Sequence, residues 1–366
     1  MSLLIKGVTK LSELGIDVDK DWQGHTLTNL KVAIAAGQPL SIEQMLALVG
    51  FAWTGLGAPA EECCEALTQD ADYVYAGLCV DPARVIKIAK TTMTTSATWI
   101  GGVGEDCCRA LTSDADYVYA ADSVSSPARV FKIAKSTMTT SATWTGGDGE
   151  NQCRALVQDT NYIYAGLYTS PAKVVKITKA TMATSLVWTA GAGDNQCASL
   201  TEDTDYVYAG DFRSPAKVYK ITKATMIISL TWTGAAGENQ CCALTQDTNY
   251  VYAGFRTSPA IVRKITKATM VSDPKVWTGQ TGVETLCRAL TTDDGCVYAG
   301  LQTDPARVIK IGKTDMVTLA TWVAEEVETD GYAIALDSDF IYFGLSIDPA
   351  TVIRIDKRRR LPIFWG

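Results

Sequence analysis

The feature that most constrains this chain is a phrase it keeps repeating. GENQCRALVQDTNYIYAG begins at Gly149, and GENQCCALTQDTNYVYAG begins at Gly237. Tryptophans mark the period: Trp53, Trp99, Trp144, Trp188, Trp232, Trp277 and Trp322 stand 44 to 46 residues apart. Units of this length stack or radiate, because one alone cannot bury its apolar face.

Each unit holds four short apolar runs. Around residue 160 they are QCRALV, YIYAGL, KVVKI and SLVWT, all strand-length, rich in β-branched and aromatic residues, and bounded by turns. The first turn is Asp159-Thr160-Asn161, and its equivalents end in Asp72, Asp116, Asp205, Asn249, Gly295 and Asp339. Most of these tolerate the left-handed backbone of a tight hairpin. The second turn always carries proline: Pro82, Pro127, Pro171, Pro215, Pro259, Pro305 and Pro349. Proline presets a turn and is excluded from a central strand. The third turn is the K-x-T-M segment, as at Lys179–Met182.

Four antiparallel strands in a unit of about 45 residues describe a propeller blade. Side-chain size agrees. Gaps between blades widen outward, so the hub takes small residues (Cys153, Ala155) and the rim takes Trp188. The expectation is an all-β, seven-bladed propeller over 51–366, preceded by a non-repeat arm over 1–50. The seventh unit lacks its own rim strand. The segment around Trp53 is expected to supply it and close the ring, with the Trp365 segment, in LPIFWG, as the alternative.

The wording RALTTDDGCVYAGLQTDPARVIKI, from Arg288, resembles the repeats of NHL-type and YVTN-type propellers. That resemblance covers residues 53 to 356 and implies architecture. It says little of activity, since such propellers host binders, scaffolds and a few lyases and hydrolases.

In the arm, Ser41-Ile42-Glu43-Gln44 reads as a capping box opening a short helix, MLALV, that stops at Gly50. Before it, Gly24, His25, Leu27, Thr28, Asn29 and Leu30 match a segment of phage tail fibres and related virion appendages. The following GQPLSIEQML departs from that family. The resemblance implies an anchoring or oligomerising arm with Trp22, His25, Leu27, Asn29 and Leu30 as its contacts. The alternative is an arm that packs on the propeller or swaps between protomers.

Composition narrows the chemistry. Net charge is −7 with both signs interspersed, which argues against a general nucleic-acid binder. The run Lys357–Arg360 reads as a solvated tail or a cap on a nearby carboxylate. The first residues have no long apolar stretch, so neither a secretion signal nor membrane insertion is expected. His25 is the only histidine, which removes histidine-based catalysis and metal binding from the repeats. Of eleven cysteines, Cys64, Cys108, Cys153, Cys197, Cys241 and Cys287 recur at one position and read as small buried hydrophobes.

Two charge patterns remain. Acids precede the inner strands: Glu61, Glu105, Glu150, Asp194, Glu238, Glu284 and, in the altered seventh unit, Asp330. They are expected to ring one mouth of the channel. There they could hold a cation such as Ca²⁺, or each could bond backbone or an arginine such as Arg109, Arg154 or Arg288. A second acidic set, Asp70, Asp114, Asp159, Asp203, Asp247, Asp293 and Asp337, reads as turn formers. Lysines of the third strand (Lys87, Lys132, Lys176, Lys220, Lys264, Lys310, with Arg354) and those just after it (Lys90 to Lys357) read as solvated edge residues.

The units differ most in the loop between second and third strands, whose tips carry Tyr168, Phe212, Arg213, Arg256 and Gln302. Aromatics and arginines on loop tips suit recognition. The sequence thus predicts a non-enzymatic structural or binding protein of a virion or extracellular appendage. It would be homo-oligomeric, associated with other appendage subunits, and able to meet a cell-surface glycan or protein receptor, without a resident cofactor. The alternatives are a metal-assisted propeller lyase or hydrolase using the acidic ring, and a cytoplasmic interaction scaffold.

Overall fold

The computed structural model describes residues 52–56, 61–325 and 327–358. The arm, with Trp22, His25, Leu27, Asn29, Leu30 and its expected helix, lies outside these residues, as does the 361–366 tail. The described residues form seven four-stranded antiparallel sheets, each ordered from first to fourth strand. In the third blade these strands are Cys153–Gln158, Tyr162–Leu167, Lys173–Thr178 and Ala183–Thr189.

The seventh blade is made from both ends of the ring. Gly331–Leu336, Phe340–Leu345 and Thr351–Asp356 take Ala52–Thr54 as their rim strand, with Trp53 opposite Val352. The Trp53 segment therefore supplies the closing strand.

The hub is packed through small residues. A Cβ added to Gly77 would lie 2.7 Å from Cys108 Sγ, and one on Gly166 would lie 2.7 Å from Cys197 Sγ. In five seams the first-strand cysteine of one blade thus fits against a second-strand glycine of the blade before it, and Ala121 stands at that place before Cys153. The seventh blade solves the same problem differently. Gly331 replaces the cysteine, and Phe343 replaces the alanine found at Ala165 and its equivalents. The Phe343 ring lies 2.8 Å from a Cβ built on Gly300, filling the space the sulfur takes elsewhere. All six repeat-position cysteines are buried thiols. The one disulfide among the described residues joins two non-repeat cysteines, Cys79 and Cys107, across the first two blades.

At the rim, indole N–H groups bond the next blade: Trp99 to Thr140 at 2.8 Å, Trp144 to Thr184 at 2.9 Å, and Trp53 to Thr95 at 2.8 Å. Two non-glycine residues in each of the first six units, and Asp330 in the seventh, adopt left-handed backbone among the described residues. One is the methionine that closes the third turn, such as Met182 at φ 48°, and the other precedes the inner strand, such as Gln152 at φ 54°. The methionine's side chain is buried, so packing offsets a backbone cost of about 1–2 kcal/mol.

The lysines are not solvated edge residues. Lys90, Lys135, Lys176, Lys179, Lys220, Lys223, Lys264 and Lys267 are only 6–8% exposed. The lysine after each third strand pairs with the turn aspartate of the preceding blade, as in Lys135–Asp70 at 2.9 Å. Six further pairs complete a closed ring at 2.9–3.4 Å, including Lys90–Asp337 across the closing seam and Lys357–Asp293. The third-strand lysine reaches the other way. Lys87 Nζ donates to the Lys135 carbonyl at 2.9 Å and lies over the Tyr73 ring at 4.1 Å. Arg354 does the same at the seam, donating to the Lys90 carbonyl. An edge reading fails because the third strand is not an edge: the alkyl stems pack on tyrosines while each ammonium reaches a neighbouring blade. The aspartates do form the turns, as Asp159 Oδ1 accepts the Asn161 and Tyr162 N–H groups. Each also accepts a tyrosine hydroxyl, as from Tyr164 at 2.8 Å.

Two predictions follow from these seams. Phe343→Ala should cost about 3–5 kcal/mol, and Gly331→Cys about 1–3 kcal/mol by overpacking. Together they recreate the packing of the other blades, so the double variant should recover most of the loss in urea unfolding. Simple additivity would contradict this account.

The second prediction concerns acid. Partial burial acts to raise the Asp70 carboxyl, but Lys135, Tyr75 and the Tyr73 amide outweigh it and hold it below the usual range. The same direction holds at Asp114, Asp159, Asp203, Asp247, Asp293 and Asp337. A depressed carboxyl contributes stability above its unfolded value near 3.9 and loses it as pH falls through the folded value. Unfolding midpoints should therefore drop steeply below about pH 4, and replacing Asp70 and Asp114 by Asn should flatten that drop.

Candidate functional site

The seven first strands line the central channel, and they alone bound a cavity of ≈ 180 Å³ within it. Because strands alternate sides, the residue after each repeat-position cysteine faces the channel. Those residues are Glu65, Arg109, Arg154, Ala198, Cys242 and Arg288, with Tyr332 in the seventh blade. Further along each strand a leucine, or Ile334 in the seventh blade, narrows the channel with apolar carbon. The result is a cationic mouth above an apolar collar, on a chain whose net charge is −7.

The loop tips reach this mouth. The Tyr168 amide donates to the Gln152 carbonyl at 2.8 Å, and Phe212, Arg256 and Gln302 are held alike by Gln196, Gln240 and Leu286. Each tip is thereby fixed two positions from a channel-facing residue. The Arg154 guanidinium stacks on the Tyr168 ring at 3.6 Å, and the Phe212 ring centroid lies 5.7 Å from that of Tyr168. Arg288 donates to Gln302 Oε1 at 2.8 Å and to the Tyr332 hydroxyl at 2.7 Å. Gln302 in turn donates to Asp330 at 3.0 Å. Arg109 lies 3.3 Å from Glu65. Burial and the neighbouring Arg109 pull the Arg154 guanidinium below the usual arginine range. Burial pushes the Cys242 thiol up, against the pull of Arg288 and Arg256.

The expected acidic ring does not form at this mouth. None of its members lines the channel cavity. Five of the carboxylates turn back on their own loops, while Asp194 takes Arg213 and Lys217: Glu105 accepts the Gly102 amide at 2.6 Å, Glu150 that of Gly147 at 2.9 Å, and Glu284 that of Gln280 at 2.9 Å. Glu61 and Glu238 do the same with Leu56 and Ala235. Some also meet an arginine of the next blade, but it is Arg129 or Arg263, at the third strand, rather than Arg109, Arg154 or Arg288. The seventh member is Glu328, which accepts the Glu325 amide at 3.0 Å. Asp330 instead holds the left-handed position before the inner strand, like Gln152. The acids stand off the channel because they follow the rim strand, before the chain has crossed to the hub. No group of three or more His, Cys, Asp or Glu side chains suited to a metal occurs among the described residues.

Arg213 is also not at the mouth. It pairs with Asp194, beside Lys217 at 2.8 Å from the same carboxylate. The mouth was only half visible in sequence. The tips signalled themselves by varying inside a fixed frame. The channel arginines carried the same signal, since their position varies between a cysteine and an alanine that change in one blade each, to Gly331 and Ser199.

Below the tips, two blades bury an aspartate where others place Leu or Phe. Asp211, 1% exposed, accepts the Lys217 amide at 2.7 Å and the Tyr219 hydroxyl at 3.1 Å. Burial pushes its carboxyl up to about 6, despite those bonds. A raised carboxyl disfavours the folded state increasingly as pH climbs from its unfolded value near 3.9 through 6. Asp211→Asn keeps the acceptor without the charge. It should therefore raise the unfolding midpoint at pH 7–8 and remove part of the slope between pH 4 and 6, as measured by thermal melts across that range.

No protein-family model and no curated protein matches this chain. Its fold is similar to those of solved propellers. The computationally designed Ika8 protein is 15% identical, with TM-score 0.56 over 82% of this chain and 98% of that one. U3-55K is 12% identical, with TM-score 0.63 over 83% and 98%. The WD40 β-propeller domain of Doa1 is 8% identical, with TM-score 0.66 over 85% and 97%. At these identities the likeness concerns the fold alone: the chain is a seven-bladed propeller of four-stranded blades.

Proposed function

We propose that this protein is a non-enzymatic recognition module, displayed on a virion or comparable surface appendage as a homo-oligomer. The observation that carries the recognition role is the convergence of unlike side chains on one channel mouth of an otherwise repetitive ring. Tyr168, Phe212, Arg256 and Gln302 come from loop tips, and Arg109, Arg154 and Arg288 from the hub. A propeller fold suits binding or scaffolding. Display on an appendage rests on the arm's resemblance to tail-fibre segments at residues 24–30.

The chemistry at the mouth favours binding over catalysis. The Cys242 thiol is held protonated by burial, and Glu65 faces Arg109. The acids that a metal-assisted lyase or hydrolase would need are dispersed and bonded to backbone amides. A cytoplasmic scaffold would use the same mouth and differs in location and assembly.

The test is immunogold labelling of native source material with an antibody to the propeller, together with light scattering of the full chain and of residues 51–366. The expected result is label on particles or filaments, and an oligomer that reverts to monomer without the arm. A monomeric full chain found on no particle would overturn the proposal.

A further inference from the structure

Arg154 stands apart from the other cations at the mouth. Arg109 has Glu65, and Arg288 has Gln302 and Tyr332. Arg154 has only the face of Tyr168; its Nε, like that of Arg109, is buried with no hydrogen-bond partner, but no acid or amide among the described residues lies against it. A guanidinium carries five donors in a planar fork, and the Nη donors of Arg154 remain open to a ligand. Four arginines, counting Arg256, face two acids at this mouth, Glu65 and Asp330, so positive charge is in excess. The charged fork points to an anionic group, and a carboxylate is the group whose shape it matches bidentately.

Two further features narrow the carrier of that group. Phe212 and Tyr168 form a tilted aromatic pair at the mouth, which offers an apolar ring face beside the cation. The channel cavity beside Arg154 measures ≈ 180 Å³, and leucines line it with apolar carbon. A polyanion fits poorly, because away from the mouth it would meet a chain of net charge −7.

We propose that the mouth binds a carboxylated sugar residue, its carboxylate on Arg154 and its ring against Phe212 and Tyr168. This rests on the recognition role argued above and adds a ligand class to it. The carboxylate would complete the donors Arg154 leaves open, with Arg109 and Arg256 adding charge. The aromatic pair would distinguish a sugar acid from an inorganic anion.

Isothermal titration of the full chain with sodium glucuronate, glucose and sodium sulfate tests this. Glucuronate should bind saturably, glucose should not, and Arg154→Gln should weaken glucuronate at least tenfold. Phe212→Ala should weaken glucuronate severalfold and leave sulfate unchanged. Arg288→Gln serves as a second mouth variant, and near-ultraviolet circular dichroism checks that each variant folds. A hyaluronan tetrasaccharide, whose chain end is glucuronate, separates sources: tighter binding than glucuronate assigns a glycan end, and weaker or equal binding assigns the free sugar acid. Absence of saturable glucuronate binding, equal binding of glucose, or an unchanged affinity in folded Arg154→Gln would overturn the proposal. Sulfate binding as tight as glucuronate, with Phe212→Ala silent, would overturn the sugar assignment. None of these results alters the labelling of particles or filaments, so failure of this proposal and failure of appendage display are read separately.

Discussion

Sheets set radially around an axis leave wedges between them, narrow at the hub and wide at the rim, and filling those wedges governs this structure. Cysteine against glycine fills the hub, tyrosine and branched aliphatics fill the middle, and tryptophan fills the rim. Close-packed interiors tolerate little misfit, so each radius dictates a residue size. The seventh seam shows this from the other side. Gly331 and Phe343 are both foreign to the repeat, yet together they occupy the volume that Cys and Ala occupy elsewhere.

The lysine–aspartate ring is a consequence of the same wedges. The hairpin turns need an aspartate, and radial packing leaves its second oxygen pointing at the next seam. A lysine from the following blade, its stem lying on tyrosine, answers that oxygen. In these half-buried ion pairs desolvation of the lysine offsets much of the attraction, so the net contribution is small. Apolar burial therefore supplies most of the stabilisation, and the ions satisfy what the turns place there.

A wedge constrains only the side chains inside it. Channel-facing residues and loop tips point into open space, and these are the positions where the units depart from one another. Structural uniformity and local variety are two sides of one packing rule. The mouth could become a mixed cluster of arginine, aromatic and amide groups without disturbing any seam. The left-handed methionines obey the same rule in reverse: turn geometry asks for glycine, but the wedge asks for volume, and volume wins.

The period of tryptophans, the turn residues and the size gradient from Cys153 to Trp188 determined the seven blades and their strand order. Closure through Trp53 was legible too, because these signals are local and repeat seven times. The tertiary structure alone decided which charges meet. Lys135 and Asp70 are 65 residues apart and join only because adjacent blades bring them together. The acids before the inner strands looked like a channel ring because sequence spacing carries no radius. The crossover from rim to hub sets that radius, and it leaves those acids beside third strands. It is the arginines four residues further on that reach the axis, since only there has the chain arrived at the hub.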